Sequence, residues 1–180
     1  MIYQRVTAPS YNGIVISPPK PMPMFTLQSV NGPVSLDSFR GKYVLLYFGY
    51  TSCPDICPIT LASLTQALSK LDSKKVGRFQ VIFVSVDYKR DTPDVSNAFV
   101  KRFNSNFIGL SGTEDQINQV TSEYGIYYKL NPPDPKTGFY SVDHTAVVMT
   151  LNSVGELILI WPYGTQIDQE ASDLAALANQ

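Results

Sequence analysis

Hydrophobic and polar positions along this chain follow two rhythms. Tyr43-Val44-Leu45-Leu46-Tyr47-Phe48 and Phe79-Gln80-Val81-Ile82-Phe83-Val84-Ser85-Val86 are short and almost continuously apolar, the pattern of strands covered on both faces of a sheet. Between them, Ile59, Leu61, Leu64, Leu68 and Leu71 recur at helical spacing and predict a helix over about residues 58–72. Asp91-Thr92-Pro93 reads as a second helix start, with Thr92 as N-cap, Pro93 in the first turn, and Val95, Phe99 and Phe103 on the apolar face. A short strand near 107–110 leads to a helix opened by Thr113, carried by Ile117, Val120 and Tyr124, and closed at Gly125. Two late strands, Thr145 to Leu151 and Leu157 to Trp161, are close enough to form an antiparallel hairpin through Gly155, and a last helix covers about 167–178. Upstream, Phe25-Thr26-Leu27 and Val34-Ser35-Leu36 flank Asn31-Gly32, a hairpin turn signal.

The order of these elements predicts an α/β chain with a thioredoxin-like fold: a mixed central sheet flanked by helices, with an N-terminal β-hairpin. One such domain spans residues 21–180, after a proline-rich extended lead-in over 1–20 that has no core of its own. Residues 129–141, with three prolines and a glycine, read as a long loop. A loop of that composition is expected to be poorly held without a ligand, leaving His144 displaced until a metal draws it in.

Charge acts mainly by exclusion. A formal net charge of −1, with the densest basic group at Lys74, Lys75 and Arg78, offers no patch for nucleic acid or an anionic membrane. No run of eighteen apolar residues exists, and Met1-Ile2-Tyr3-Gln4-Arg5 does not read as a targeting segment.

Candidate chemistry concentrates in Phe48-Gly49-Tyr50-Thr51-Ser52-Cys53-Pro54-Asp55-Ile56-Cys57-Pro58, between a buried strand and a helix. Cys53 and Cys57 are the only cysteines, and a bridge between them would close too small a loop to stabilise the fold by chain entropy. Helix N-terminal amides favour thiolate, which is both nucleophile and metal ligand. Three intervening residues widen the bite relative to the usual dithiol spacing, so both sulfurs can face one ion without a disulfide being forbidden. His144, the only histidine, precedes an apolar strand in Val142-Asp143-His144-Thr145. In the thioredoxin plan this turn faces the cysteines, and the histidine stands where a cis-proline is usual. Two sulfurs and one nitrogen suit copper, while structural zinc prefers four protein ligands and would need a water or carboxylate here.

These segments together resemble the SCO/SenC family of copper-binding proteins. The resemblance rests on residues 48–58, on Val84-Ser85-Val86-Asp87-Tyr88-Lys89-Arg90-Asp91-Thr92-Pro93, and on Val142-Asp143-His144-Thr145. It implies one copper, as Cu(I) or Cu(II), held by Cys53, Cys57 and His144. It further implies a monomeric, membrane-anchored, extracytoplasmic domain on the periplasmic side in bacteria or in the mitochondrial intermembrane space. The implied partner is the copper-site subunit of cytochrome c oxidase, with other copper chaperones as further partners. The implied task is copper delivery to that subunit, reduction of its cysteines, or both. Ser52 and Tyr88-Lys89 depart from the residues common in the family. Asp87 reads either as an outer acceptor tuning the site or contacting a partner, or as an ordinary loop carboxylate. Met22 and Met24 offer soft thioethers but read more simply as gap-fillers. The rival reading is a thiol–disulfide reductase using the Cys53–Cys57 dithiol with no metal-delivery role. A peroxidase pattern fails, since Leu46 and Tyr50 stand where Cys53 would need proline and threonine, and Tyr50 and Pro54 where Cys57 would.

Overall fold

The structure is a computed structural model and describes residues 10–180; the first nine residues of the expected lead-in lie outside the described residues. The first strand, β1 (Ile14–Pro21), is extended and mostly exposed, as a proline-rich segment should be, yet it pairs with the last strand of the main sheet. Asp173 secures its start, accepting from the Asn12 and Gly13 backbone amides, the Asn12 side-chain amide and the Trp161 indole. The predicted hairpin follows as β2 (Thr26–Ser29) and β3 (Gly32–Ser35).

β4 (Tyr43–Gly49) is buried at every position, as its unbroken apolar run requires. After it come α1 (Ile56–Ser69), the short α2 (Ser73–Val76) and β5 (Phe79–Ser85), which runs parallel to β4. α3 (Pro93–Lys101) begins as predicted, with Thr92 accepting from the Val95 amide. β6 (Ile108–Leu110) precedes α4 (Glu114–Tyr124), which opens on a Thr113–Gln116 capping box and stops at Gly125 in the left-handed region, φ 68°. The chain continues through β7 (Tyr128–Leu130), β8 (Val142–His144), β9 (Val147–Leu151), β10 (Glu156–Pro162) and α5 (Ile167–Leu177).

The main sheet has the order β1-β10-β9-β4-β5-β6, parallel from β4 to β6 and antiparallel on the other side. Helices flank this mixed sheet, which is the predicted thioredoxin-like arrangement. α1 lies against α5, and α3 lies against β5 and β6. Tyr47, Phe48, Phe83, Leu61 and Leu64 fill the core between them. Among the described residues, no helix is long and apolar enough to cross a membrane.

Three expectations change. The predicted apolar stripe of α1 is displaced: Cys57, Thr60, Leu61, Leu64, Ala67 and Leu68 face inward, and Ile59 is 48% exposed. Val95 likewise faces out of α3, 41% exposed, leaving Phe99 and Val100 to bury that helix. The long loop is shorter than 129–141 because its ends pair, Tyr128 with His144, Lys129 with Asp143 and Leu130 with Val142. His144 therefore sits at the end of a strand instead of on a free turn. Met22 is buried and packs in the core, as a gap-filler does, while Met24 lies against Gly155.

Candidate metal centre

α1 starts without an ordinary cap. Asp55 occupies the N-cap position but makes no side-chain cap bond; the Cys57 amide donates instead to Cys53 Sγ at 3.4 Å. Sulfur thus takes the place of a capping oxygen at the positive end of a fourteen-residue helix. The Cys53 thiol is pushed far below the ordinary thiol range, to about 3. The main cause is a hydrogen bond from the Cys57 thiol, supported by His144 and the backbone amides of Cys57 and Asp55, with burial acting the other way. Cys57 moves in the opposite direction, because it gives that hydrogen bond to Cys53 and is itself fully buried. Reduced, the pair is one partly exposed thiolate and one buried thiol.

Cys57 is held from two other sides. The hydroxyl of Tyr47, a fully buried residue of β4, donates to Cys57 Sγ at 3.4 Å. Gly49 makes room for the sulfur: a Cβ there would stand 2.7 Å from Cys57 Sγ and 2.9 Å from the Phe83 ring. The cysteine loop is tied to the segment after β5 by Asp91, which accepts from the Thr51 amide at 2.8 Å and from the hydroxyls of Thr51 and Ser85.

His144 reaches the same point from β8. Its Nε2 lies 3.5 Å from Cys57 Sγ, and its Nδ1 lies 3.3 Å from the Thr145 carbonyl. A carbonyl can only accept, so a proton on Nδ1 is held here, and Nε2, which faces the sulfurs, is the ring atom placed to coordinate an ion. The imidazole stands edge-on to two rings, Tyr50 at 5.8 Å and Tyr47 at 6.2 Å between centroids.

Cys53 Sγ, Cys57 Sγ and one His144 ring nitrogen all lie within 4.8 Å of one another. Three donors around one ion at normal bond lengths stand roughly 4 Å apart, so small closure would suffice. Two soft sulfurs and an imidazole nitrogen, with no further cysteine or histidine in the chain, fit copper better than structural zinc.

Asp87 is fully buried, and its hydrogen-bond partners are Tyr140 and Arg90, not the three donors. Ser52 and Lys89 are exposed, and Tyr88 donates to Glu114. Sequence reasoning missed Tyr47, Gly49, Asp91 and Arg90, all of which lie inside the quoted segments or directly before them. It also missed a cleft of about 430 Å³ bounded by α1, the start of β9, the 162–166 turn and α5, with Ile59 and Glu170 in its wall.

The sequence pattern of the SCO1/SenC family matches residues 17–179. Protein SCO2, mitochondrial, of Saccharomyces cerevisiae is 40% identical over 136 residues, covering 74% of this chain and 45% of the yeast protein. The apo Sco1 protein from Thermus thermophilus superposes with a TM-score of 0.85 at 39% identity, covering 93% of this chain and 97% of that one. The copper-bound ScoI of Bradyrhizobium japonicum gives a TM-score of 0.77 at 33% identity, covering 86% and 98%. The chain spans 44% to 65% of the length of the curated mitochondrial and rickettsial relatives it matches.

Proposed function

Because the chain belongs to the SCO1/SenC family, we propose that it binds one copper ion through Cys53 Sγ, Cys57 Sγ and His144 Nε2 and serves assembly of the binuclear copper site of cytochrome c oxidase. The observation that carries this reading is the convergence of two sulfurs and an imidazole nitrogen within 4.8 Å, with a carbonyl acceptor at the far ring nitrogen. Copper is cargo here, a soft cation that thiolates hold strongly and pass on by ligand exchange. The chain's own residues prepare the place: the α1 N-terminus favours the Cys53 thiolate, Tyr47 orients Cys57, and the Thr145 carbonyl orients the imidazole. The partner is the oxidase subunit that receives copper, and the setting is extracytoplasmic, with a membrane anchor outside the present chain and the domain acting as a monomer.

A second reading is favoured by the asymmetry of the cysteines. A partly exposed thiolate beside a buried thiol is suited to disulfide exchange. Cys53 would attack a partner disulfide and release one partner thiolate; Cys57, losing its proton to solvent, would then attack Cys53 Sγ and release the other. The product is a Cys53–Cys57 disulfide and a dithiol on the partner, two electrons having moved. Oxidation removes two of the three donors, so only the reduced protein should hold copper.

The deciding experiment loads reduced protein anaerobically with Cu(I) and desalts it against a competing chelator. Close to one copper per chain supports the metal reading. Essentially none overturns it and leaves the reductase.

A further inference from the structure

His144 is carried by a weak element. β8 is three residues long and, among the described residues, pairs only with β7, itself three residues long. A two-stranded ladder of that size does not hold its place in water unaided. Val142, buried at its start, gives one anchor, and the bond from the Thr145 amide to the Tyr127 carbonyl gives another behind it. Asn131 ties Ser141 and Asp143 within the ladder, and Tyr128 donates to Asn118 of α4; a further anchor lies in Tyr140, two residues ahead of the strand.

Tyr140 lies against the guanidinium of Arg90, whose carbon stands 3.5 Å from the ring centroid. Its hydroxyl donates at 2.7 Å to Asp87 Oδ1, and Arg90 Nε is paired with Asp87 Oδ2. The buried carboxylate thus fixes both members of the stack. Arg90 also lies 5.6 Å from the Phe139 ring centroid and 5.9 Å from that of Tyr50, the ring that stands edge-on to His144. Arg90 Nη2 is buried and has no hydrogen-bond partner among the described residues. The guanidinium is therefore used on its flat face as well as through its donors, something a lysine ammonium cannot reproduce.

We propose that Arg90 is a positioning residue: stacked on Tyr140 and held by Asp87, it latches the segment ahead of β8 so that the strand presents His144 to Cys53 and Cys57. The proposal rests on the three-donor reading of the site, and it gives Asp87 a role exerted through Tyr140 instead of by contact with a donor.

The test uses Arg90→Lys, which keeps the charge beside Asp87, and Tyr140→Leu, which leaves the Arg90–Asp87 pair intact. The first readout is amide hydrogen exchange in reduced, metal-free protein. Exchange should quicken at 142–145 in both variants while the centres of β4 and β5 keep wild-type protection. The second is Cu(I) affinity by chelator competition, alone and combined with His144→Ala. Each variant should lose about tenfold in affinity, in the range seen when a group that orients a metal ligand is removed. In the His144→Ala background the further loss should vanish, because the latch acts only through that ligand. Unchanged exchange at 142–145 would overturn the proposal, as would an equal affinity loss with His144 already removed. If wild-type protein retains no copper, the copper reading fails by itself, and the exchange measurement still judges the latch.

Discussion

The hydroxyl of Tyr47 points at the sulfur of Cys57 from within the core, donating at 3.4 Å from a residue with no solvent exposure. It is a hydrogen bond aimed at the buried half of the site, and it favours the thiolate form that a metal requires. Tyr47→Phe keeps the ring and removes only this donor. The expected result is a loss of about 1 kcal/mol in stability, read by urea unfolding of metal-free protein. Copper affinity should fall by roughly fivefold in chelator competition, as the loss of a single hydrogen bond of that strength implies.

The two cysteines should differ sharply in reactivity. With the Cys53 thiol held at about 3, its thiolate fraction is constant across neutral and mildly acidic pH. Iodoacetamide should modify Cys53 at a rate that is flat between about pH 5 and 8, where an ordinary thiol would slow steeply. Cys57 should stay unmodified in the folded protein. Peptide mapping after brief alkylation checks both statements, and a Cys53 rate that climbs tenfold per pH unit would refute the thiolate assignment.

Gly49 should not tolerate a side chain. Gly49→Ala places a methyl 2.7 Å from Cys57 Sγ and 2.9 Å from the Phe83 ring, both in the packed interior. The expected cost is about 1–3 kcal/mol in unfolding free energy. Copper retention should fall further than this destabilisation alone explains, because the sulfur itself must move.

Glu170 gives the fold a pH dependence of its own. Burial raises its carboxyl to about 7 from 4.5, with the Ser63 hydroxyl opposing and Asp173 adding to the rise. Between those values the folded protein holds a proton that the unfolded chain has released. This contribution therefore leaves stability highest below the unfolded value, lowers it as pH rises toward 7, and is level above. Glu170→Gln should flatten that slope and stabilise the protein at pH 8 by about 1–2 kcal/mol, after allowance for solvent screening. Urea midpoints at pH 4.5, 6 and 8 measure it.

Much of this fold is legible in the sequence where one local rule is enough. β4 and β5 declare themselves because both of their faces are buried, and α3 and α4 because Thr92 and Thr113 are N-cap residues in the right place. β1 and the β7–β8 pair do not, since their pairing is set by distant strands and not by their own alternation. The site divides in the same way. Cys53, Cys57 and His144 stand out by residue type and motif. Tyr47, Asp91 and Arg90 look like ordinary strand or loop residues until folding brings the Tyr47 hydroxyl to a sulfur and the Arg90 guanidinium to Tyr140. Ile59 fits the helical period yet lies outside the core, because a period-3.6 count cannot tell a core stripe from the wall of a cleft.

The outer strands of the main sheet have a consequence for how copies of this protein meet. A sheet ends in rows of unpaired amides and carbonyls, and such rows invite a second molecule to add its own strand. Here β1 carries prolines at 18, 19 and 21, which bring no amide hydrogen, and its pairing slips between Val15 and Lys20. At the opposite margin β6 is only three residues long. Neither margin is a usable template for edge-to-edge growth. Crowded beside one another, copies of this domain meet, at the described margins of the main sheet, no long straight border along which β-proteins zip into aggregates.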